Sequence, residues 1–353
     1  MSVVCPRICP TVAKRGGVVL ATWHFHIEIS SKCTLRCPRC ARQEVPNSLV
    51  NTELDLEFFK RNFTSEFVLN NVEKITFCGD DGDPIYAHDL ISVIDYFKSI
   101  KPVEIVIVTN GSHKKPIWWT ELGSVLDSND SVHFSVDGWD DASNNQYRVN
   151  SDFTSIVHGI NAVRGASRCQ LIWAAIAFRF NENHIDLMRD FAKSIGMDRF
   201  QLTKSTKFGS IYPSYGVDDP LEPSVKFVSS SHRFERDVVE LTDRSPTLVH
   251  KKNIELYNQT KSRNGVTPLC EIGNKGLYID ARGRLFPCCW VANRYTHNSD
   301  WQQLSNNFDL RTKTLIDVLA DPFWSDKFQT FQWQECKTKC LSSQVDRNYA
   351  TTW

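Results

Sequence analysis

The chain has 353 residues, 41 lysines and arginines against 41 aspartates and glutamates, and 12 cysteines. Such a length buries a full core without disulfides and leaves room for one large domain plus a smaller appendage. The balanced charge gives no global attraction for nucleic acid or an anionic membrane surface. No apolar run of about 18 residues is present to span a bilayer.

Residues 1–22 are expected to be an N-terminal extension without a separate leader-peptide-binding domain. Their apolar stretch at 16–21 is too short for a signal-peptide core, which places the protein in the cytoplasm. From residue 23 to about 204, β-rich apolar runs alternate with amphipathic stretches, the pattern of repeated βα units around a parallel sheet. Strands are predicted at 23–29, 74–78, 104–108, 131–136, 171–178 and 199–203. Among the helices, 88–100 carries Leu90, Ile91, Ile94 and Phe97 at helical spacing, and 184–195 carries Ile185, Leu187, Met188 and Phe191. Six βα units are too few to close an eight-stranded barrel. We therefore expect an α/β fold, an open partial (β/α)6 barrel over 23–207, with ligands at the C-terminal ends of its strands. In 208–268, Pro213, Pro220, Pro223 and Pro246 interrupt any period, which predicts a loop-rich connection with one or two short helices. A C-terminal domain over 269–353 is expected to open on a hairpin, 276–279 and 284–287, around Asp280-Ala281-Arg282-Gly283.

In a reducing cytosol, clustered thiols bind metal more often than they form disulfides. Two groups stand out: Cys33, Cys37 and Cys40 near the start, and Cys270, Cys288, Cys336 and Cys340 near the end. Cys33-Thr-Leu-Arg-Cys37-Pro-Arg-Cys40 directly follows the first predicted strand. A loop of this spacing wraps one corner of a 4Fe-4S cubane and leaves the fourth iron open to a ligand. The alternatives are a zinc knuckle or three incidental cysteines, but structural zinc normally takes four ligands. His24 and His26 lie upstream on one face of the strand.

A Cys-x3-Cys-x2-Cys loop after the first strand of a partial βα barrel resembles the radical S-adenosylmethionine (SAM) superfamily. The resemblance covers roughly residues 23–340. It implies that the open iron chelates the amino and carboxylate groups of SAM, and that an electron from the cluster yields methionine and a 5′-deoxyadenosyl radical. Arg39 stands where the family usually has an apolar or aromatic residue near the adenine; a guanidinium can also stack on a flat ring. The segment Gly79-Asp-Asp-Gly82-Asp83-Pro84 resembles the family's Gly-Gly-Glu-Pro, with glycines that let the backbone approach the SAM amino group. The resemblance further implies SAM contacts from Asn110 in Thr-Asn-Gly-Ser, from Ser135 and Asp137 in Ser-Val-Asp-Gly, from Arg148 after Tyr147, and from Asn181 in Phe-Asn-Glu-Asn-His. Each segment alone also reads as an ordinary turn or helix cap.

Cys270, twelve residues, Gly283, four residues, Cys288 and then Cys336-x3-Cys340 resemble the twitch form of the SPASM auxiliary module. That resemblance implies a small C-terminal domain with a second, auxiliary 4Fe-4S cluster, its irons saturated by four thiolates; the same four thiols also suit a structural zinc site. Cys289 is a substitute ligand or a free thiol, Cys169 reads as core, Cys78 is a buried thiol or a hydrogen-atom donor, and Cys5 and Cys9 have no legible role. The resemblance implies hydrogen abstraction from a peptide or protein side chain, because the segments around Asp137 and Arg148 are most similar to peptide-modifying members. Alternatives are a carbohydrate-like or nucleotide substrate, or a non-enzymatic zinc or iron-sulfur protein. An enzyme of this kind needs an electron donor such as flavodoxin or ferredoxin.

Overall fold

The computed structural model describes residues 23–44, 49–205, 207–208, 218–234, 277–289, 291–292 and 306–321. Its strands are β1 (Trp23–Ile27), β2 (Val72–Phe77), β3 (Glu104–Thr109), β4 (Ser131–Ser135), β5 (Gln170–Ile176), β6 (Arg199–Thr203), β7 (Ser230–Arg233), β8 (Leu277–Ile279) and β9 (Leu285–Phe286). They form one open sheet in the order β7-β6-β5-β4-β3-β2-β1-β8-β9. Strands β1 to β6 pair in parallel with their sequence neighbours, as repeated βα units require. The expected partial-barrel, parallel α/β core is therefore present.

Helices α1 (Ala41–Glu44), α2 (Leu56–Asn62), α3 (Ser65–Asn71), α4 (Leu90–Ile100), α5 (Pro116–Ser124), α6 (Asp141–Asn144), α7 (Phe153–Ala166), α8 (Ile185–Ser194) and α9 (Leu315–Ala320) complete the described elements. Strand alternation sends one set of residues to the helices. Ile75, Phe77, Ile105, Ile107, Phe134, Leu171 and Trp173 on that face are fully buried. Phe59 of α2 meets Phe77 with ring centroids 6.4 Å apart, Trp119 of α5 meets Phe134 at 5.3 Å, and Phe191 of α8 meets Trp173 at 6.0 Å. The opposite face carries polar side chains, including His26, Glu28, Lys74, His133 and Gln201. No described helix is long and apolar enough to cross a membrane.

Several boundaries differ from expectation by one or two residues, three of them beside a local contact. Strand β1 ends at Ile27, after which Ser30 bridges to Glu53. Strand β5 ends at Ile176, and the Phe178 N–H donates to Asn181 Oδ1 (2.8 Å) rather than to a neighbouring strand. Helix α4 begins at Leu90, two residues late, because Asp89 accepts from Leu56 N (2.9 Å) rather than capping it. Within 208–268, expected to hold loops and short helices, β7 pairs antiparallel with β6. All four of its residues are exposed, so no apolar alternation announces it. The predicted hairpin is present as β8 and β9; Gly276, its expected first residue, lies outside the described residues. Gly283 takes a φ of 87° in the turn, a region that favours glycine. Asp280 accepts from the N–H groups of Arg282 (3.1 Å) and Arg284 (2.8 Å) to close it. The hairpin is not a separate layer, since β8 pairs in parallel with β1, Phe25 opposite Leu277 and Ile27 opposite Ile279.

Candidate active site

The loop carrying Cys33, Cys37 and Cys40 leaves the C-terminal end of β1 and is fastened to the ends of several other units. Arg36 N donates to Val149 O (3.0 Å), Asn150 Nδ2 to Thr34 O (2.9 Å), and Asp83 N to Lys32 O (2.9 Å). Each thiol meets a different neighbour. Asn110 Nδ2 donates to Cys33 Sγ (3.7 Å), the Arg148 charge acts on Cys37, and Cys40 Sγ approaches the Asp80 carbonyl at 3.9 Å. Around the thiols pack Leu35, Tyr147, Phe178, Phe180, Phe208 and Leu221.

Burial pushes the Cys33 thiol up to about 12 and the Cys37 thiol up to about 11, and raises Cys40 as well. Thiols in such an apolar shell stay protonated unless a bound cation compensates the thiolate charge. Among the described residues, no three His, Cys, Asp or Glu side chains converge closely enough to hold one metal ion. A cubane needs no such focus, because each of its irons takes one thiolate. Three thiols in an apolar shell are a donor set that an iron-sulfur group accepts.

The turn after β2 is built by its own neighbours. A Cβ on Gly82 would lie 1.9 Å from Ser30 O, so the close backbone approach there is to the chain itself. Asp83 caps the short 3-10 helix Pro84–Tyr86. Its Oδ1 accepts from Thr109 Oγ1 (2.8 Å), and its Oδ2 from Asn110 N (2.6 Å) and Asn110 Nδ2 (2.5 Å). Asp83 and Asn110 are thus brought together, and the Asp83 carboxylate is engaged by protein donors. Burial and then the neighbouring Asp81 lift the adjacent Asp80 up to about 7.

Asp137, Arg148 and Asn181 form a second group. Asp137 Oδ2 accepts from Arg148 Nε (2.6 Å) and Oδ1 from Ile176 N (2.6 Å), while Asn181 Nδ2 donates to Asp137 O (2.8 Å). Burial lowers the basicity of Arg148, but the ion pair with Asp137 outweighs it, keeping the guanidinium charged. Ser135 closes β4 beside Ala174 of β5 and joins neither group.

Several site residues escaped sequence reasoning. Asn144, in α6, accepts from Asp137 N (2.9 Å) and Gly138 N (3.2 Å). Glu28 accepts from Asp81 N and Gly82 N at 2.6 and 2.9 Å. Arg39, which departs from the family's apolar or aromatic residue, has its NH2 group paired with the buried Asp219 at 2.6 Å, and its Nε donates to Lys207 O (3.2 Å). Asp219 sits in the segment whose prolines hid any pattern. Cys288 packs half-buried against the main core, whereas Cys5, Cys9, Cys270, Cys336 and Cys340 lie outside the described residues. Cys169 is core, 1% exposed, and Cys78 is buried at the end of β2.

No family model and no curated protein matches this sequence. Solved structures do. Streptococcus suis SuiB bound to S-adenosylmethionine matches with a TM-score of 0.55 at 14% identity, over 88% of this chain and 68% of that one. SuiB bound to the precursor peptide SuiA matches at 0.54 and 14%, over 90% and 69%. Native anSMEcpe with bound AdoMet matches at 0.50 and 14%, over 90% and 86%. The chain has the fold of these radical SAM enzymes.

Proposed function

We propose that this chain is a radical SAM enzyme that abstracts hydrogen from a peptide or protein side chain. The carrying observation is the Cys-x3-Cys-x2-Cys loop at the C-terminal mouth of a parallel sheet, each thiol beside a different neighbour: Asn110, Arg148 and the Asp80 carbonyl. Cys33, Cys37 and Cys40 would hold a 4Fe-4S cluster. With SAM on its open iron, one-electron reduction supplies methionine and a 5′-deoxyadenosyl radical able to take a hydrogen atom from an unreactive C–H bond.

The chain's own groups then have distinct tasks. Asp83 fixes Asn110 beside Cys33, and Asp137 fixes Arg148 beside Cys37, so both polar groups face the ligand loop already oriented. Arg148 keeps a positive charge at the mouth, where the SAM carboxylate is to be received. Ser135, Gly82, Pro84 and Asn181 line or brace the same strand ends. The apolar shell of Tyr147, Phe178 and Phe180 excludes water from a reaction that a radical cannot share with solvent. Cys270, Cys288, Cys336 and Cys340 are proposed to hold an auxiliary 4Fe-4S cluster in a domain spanning 269–353, and a flavodoxin or ferredoxin is the proposed donor. The peptide assignment leans on SuiB, solved with its precursor peptide.

Anaerobic reconstitution with iron and sulfide tests the reading. A brown protein that forms 5′-deoxyadenosine from SAM under dithionite is expected, and replacing Cys33, Cys37 and Cys40 together by Ala should abolish that product and remove about half the iron. Product formation by the triple variant would sink the assignment; a colourless wild type with bound zinc would favour a structural zinc protein.

A further inference from the structure

Glu28 is an unusual group to bury. It is 2% exposed, and burial, with Asp81, Asp80 and Asp280 nearby, pushes its carboxyl well above the usual carboxylate range. A carboxyl in that setting is unfavourable unless its oxygens find donors. They do, from two directions. One oxygen takes the N–H groups of Asp81 (2.6 Å) and Gly82 (2.9 Å), and the other takes the Tyr278 hydroxyl (3.0 Å).

These donors belong to different parts of the chain. Asp81 and Gly82 form the turn after β2, next to the loop of Cys33, Cys37 and Cys40. Tyr278 lies on β8, the first strand of the hairpin that runs on to Cys288. The backbone repeats the connection, since Glu28 N donates to Ile279 O (2.8 Å). The Tyr278 ring is fixed edge-on to His26, centroids 4.9 Å apart, and is 2% exposed, so its hydroxyl is not a mobile surface group. One carboxyl oxygen accepts both turn N–H groups while the second accepts from the phenol, so this single side chain joins the two parts of the chain.

We infer that Glu28 is a positioning residue that holds the 79–84 turn in its SAM-receiving form, and that Tyr278 ties this form to the C-terminal hairpin, so that SAM affinity depends on the hairpin being docked. The inference rests on the SAM reading above. It makes the C-terminal segment a determinant of cofactor binding at the other end of the chain, separate from any cluster that segment carries.

The test uses the full chain, reconstituted anaerobically, with iron content, SAM affinity by titration calorimetry, and the SAM-induced change in the paramagnetic resonance of the reduced protein. Glu28→Ala should weaken SAM binding by about tenfold or more at wild-type iron content, since two turn N–H groups lose their acceptor. Tyr278→Phe removes one oxygen atom and should weaken it by about threefold to tenfold. Glu28→Gln, whose oxygen can accept from the turn while its NH2 donates to the phenol oxygen, should stay within about threefold of wild type, and Tyr278→Phe carries the test if the Ala variant folds poorly. The decisive comparison is the double variant, where Tyr278→Phe should add nothing to Glu28→Ala because the route is already cut. Wild-type affinity in Tyr278→Phe would overturn the inference, as would an undiminished Tyr278 effect in the double variant. A wild type that gives no SAM response at all would overturn the functional reading first, and the inference with it.

Discussion

Replacing Asp219 by Ala is the sharpest structural perturbation available at this site. Arg39 lies between two proposed ligands, 2% exposed, and its guanidinium meets a fully buried carboxylate at 2.6 Å. Truncating one partner leaves a buried charge without its carboxylate, which costs about 3–5 kcal/mol. The Arg39 Nε contact to Lys207 O survives the change and argues for the lower half of that range. The assay is urea unfolding of the reduced apo chain, read as a shift of midpoint at unchanged slope, together with amide exchange in residues 218–224. Removing both charges with similar volume, Arg39→Met with Asp219→Leu, should recover most of the loss, because an apolar pair carries no desolvation penalty. A loss below about 1 kcal/mol for Asp219→Ala, or a double variant as unstable as the single, would refute the view that this pair anchors the thiol loop.

Gly82→Val should lower iron content as well as SAM binding, since its Cβ would strike Ser30 O at 1.9 Å and displace the start of the thiol loop; iron retained at wild-type level would contradict this. Cys288→Ala should remove about half the iron while Cys289→Ala leaves it unchanged, and equal losses by colorimetric iron assay would reassign the ligand. Burial, then the charges of Lys74 and Arg199, hold His133 down to about 3, far below its unfolded value of about 6.5. Between those values the unfolded chain binds the extra proton, so stability should fall as pH drops through that window, by up to about 1.4 kcal/mol per pH unit. His133→Gln should flatten the urea midpoint against pH there, and parallel profiles would exclude the mechanism.

The parallel core was legible because short β-rich apolar runs alternate with amphipathic helical stretches along the chain, the pattern of repeated βα units. The thiol loop was legible from spacing alone. What stayed hidden depends on partners distant in sequence. Phe25 and Leu277 share a register across the sheet, yet nothing near either residue announces it. Glu28 reads as one acidic residue at a strand end until Tyr278 arrives beside it. Asp83 stood in a visible motif, but its partners did not show there: its carboxylate accepts from Thr109 and Asn110 at the end of β3.

That engagement bears on how the site attains its shape. A loop of three thiols cannot orient itself: its neutral thiols repel no one and attract little. The orientation comes from outside the loop, from Asn110 at the end of β3, Arg148 beyond β4, the Asp80 carbonyl after β2 and Asp219 in the later strap. Their relative positions are set by the registers of the parallel strands, Thr76 opposite Val106 and Val108 opposite His133, which the apolar face locks against the helices. A one-residue slip in any of these pairs would turn buried phenylalanines toward the polar face, so the hydrophobic layer that never touches a ligand is what fixes the distances between the groups that do.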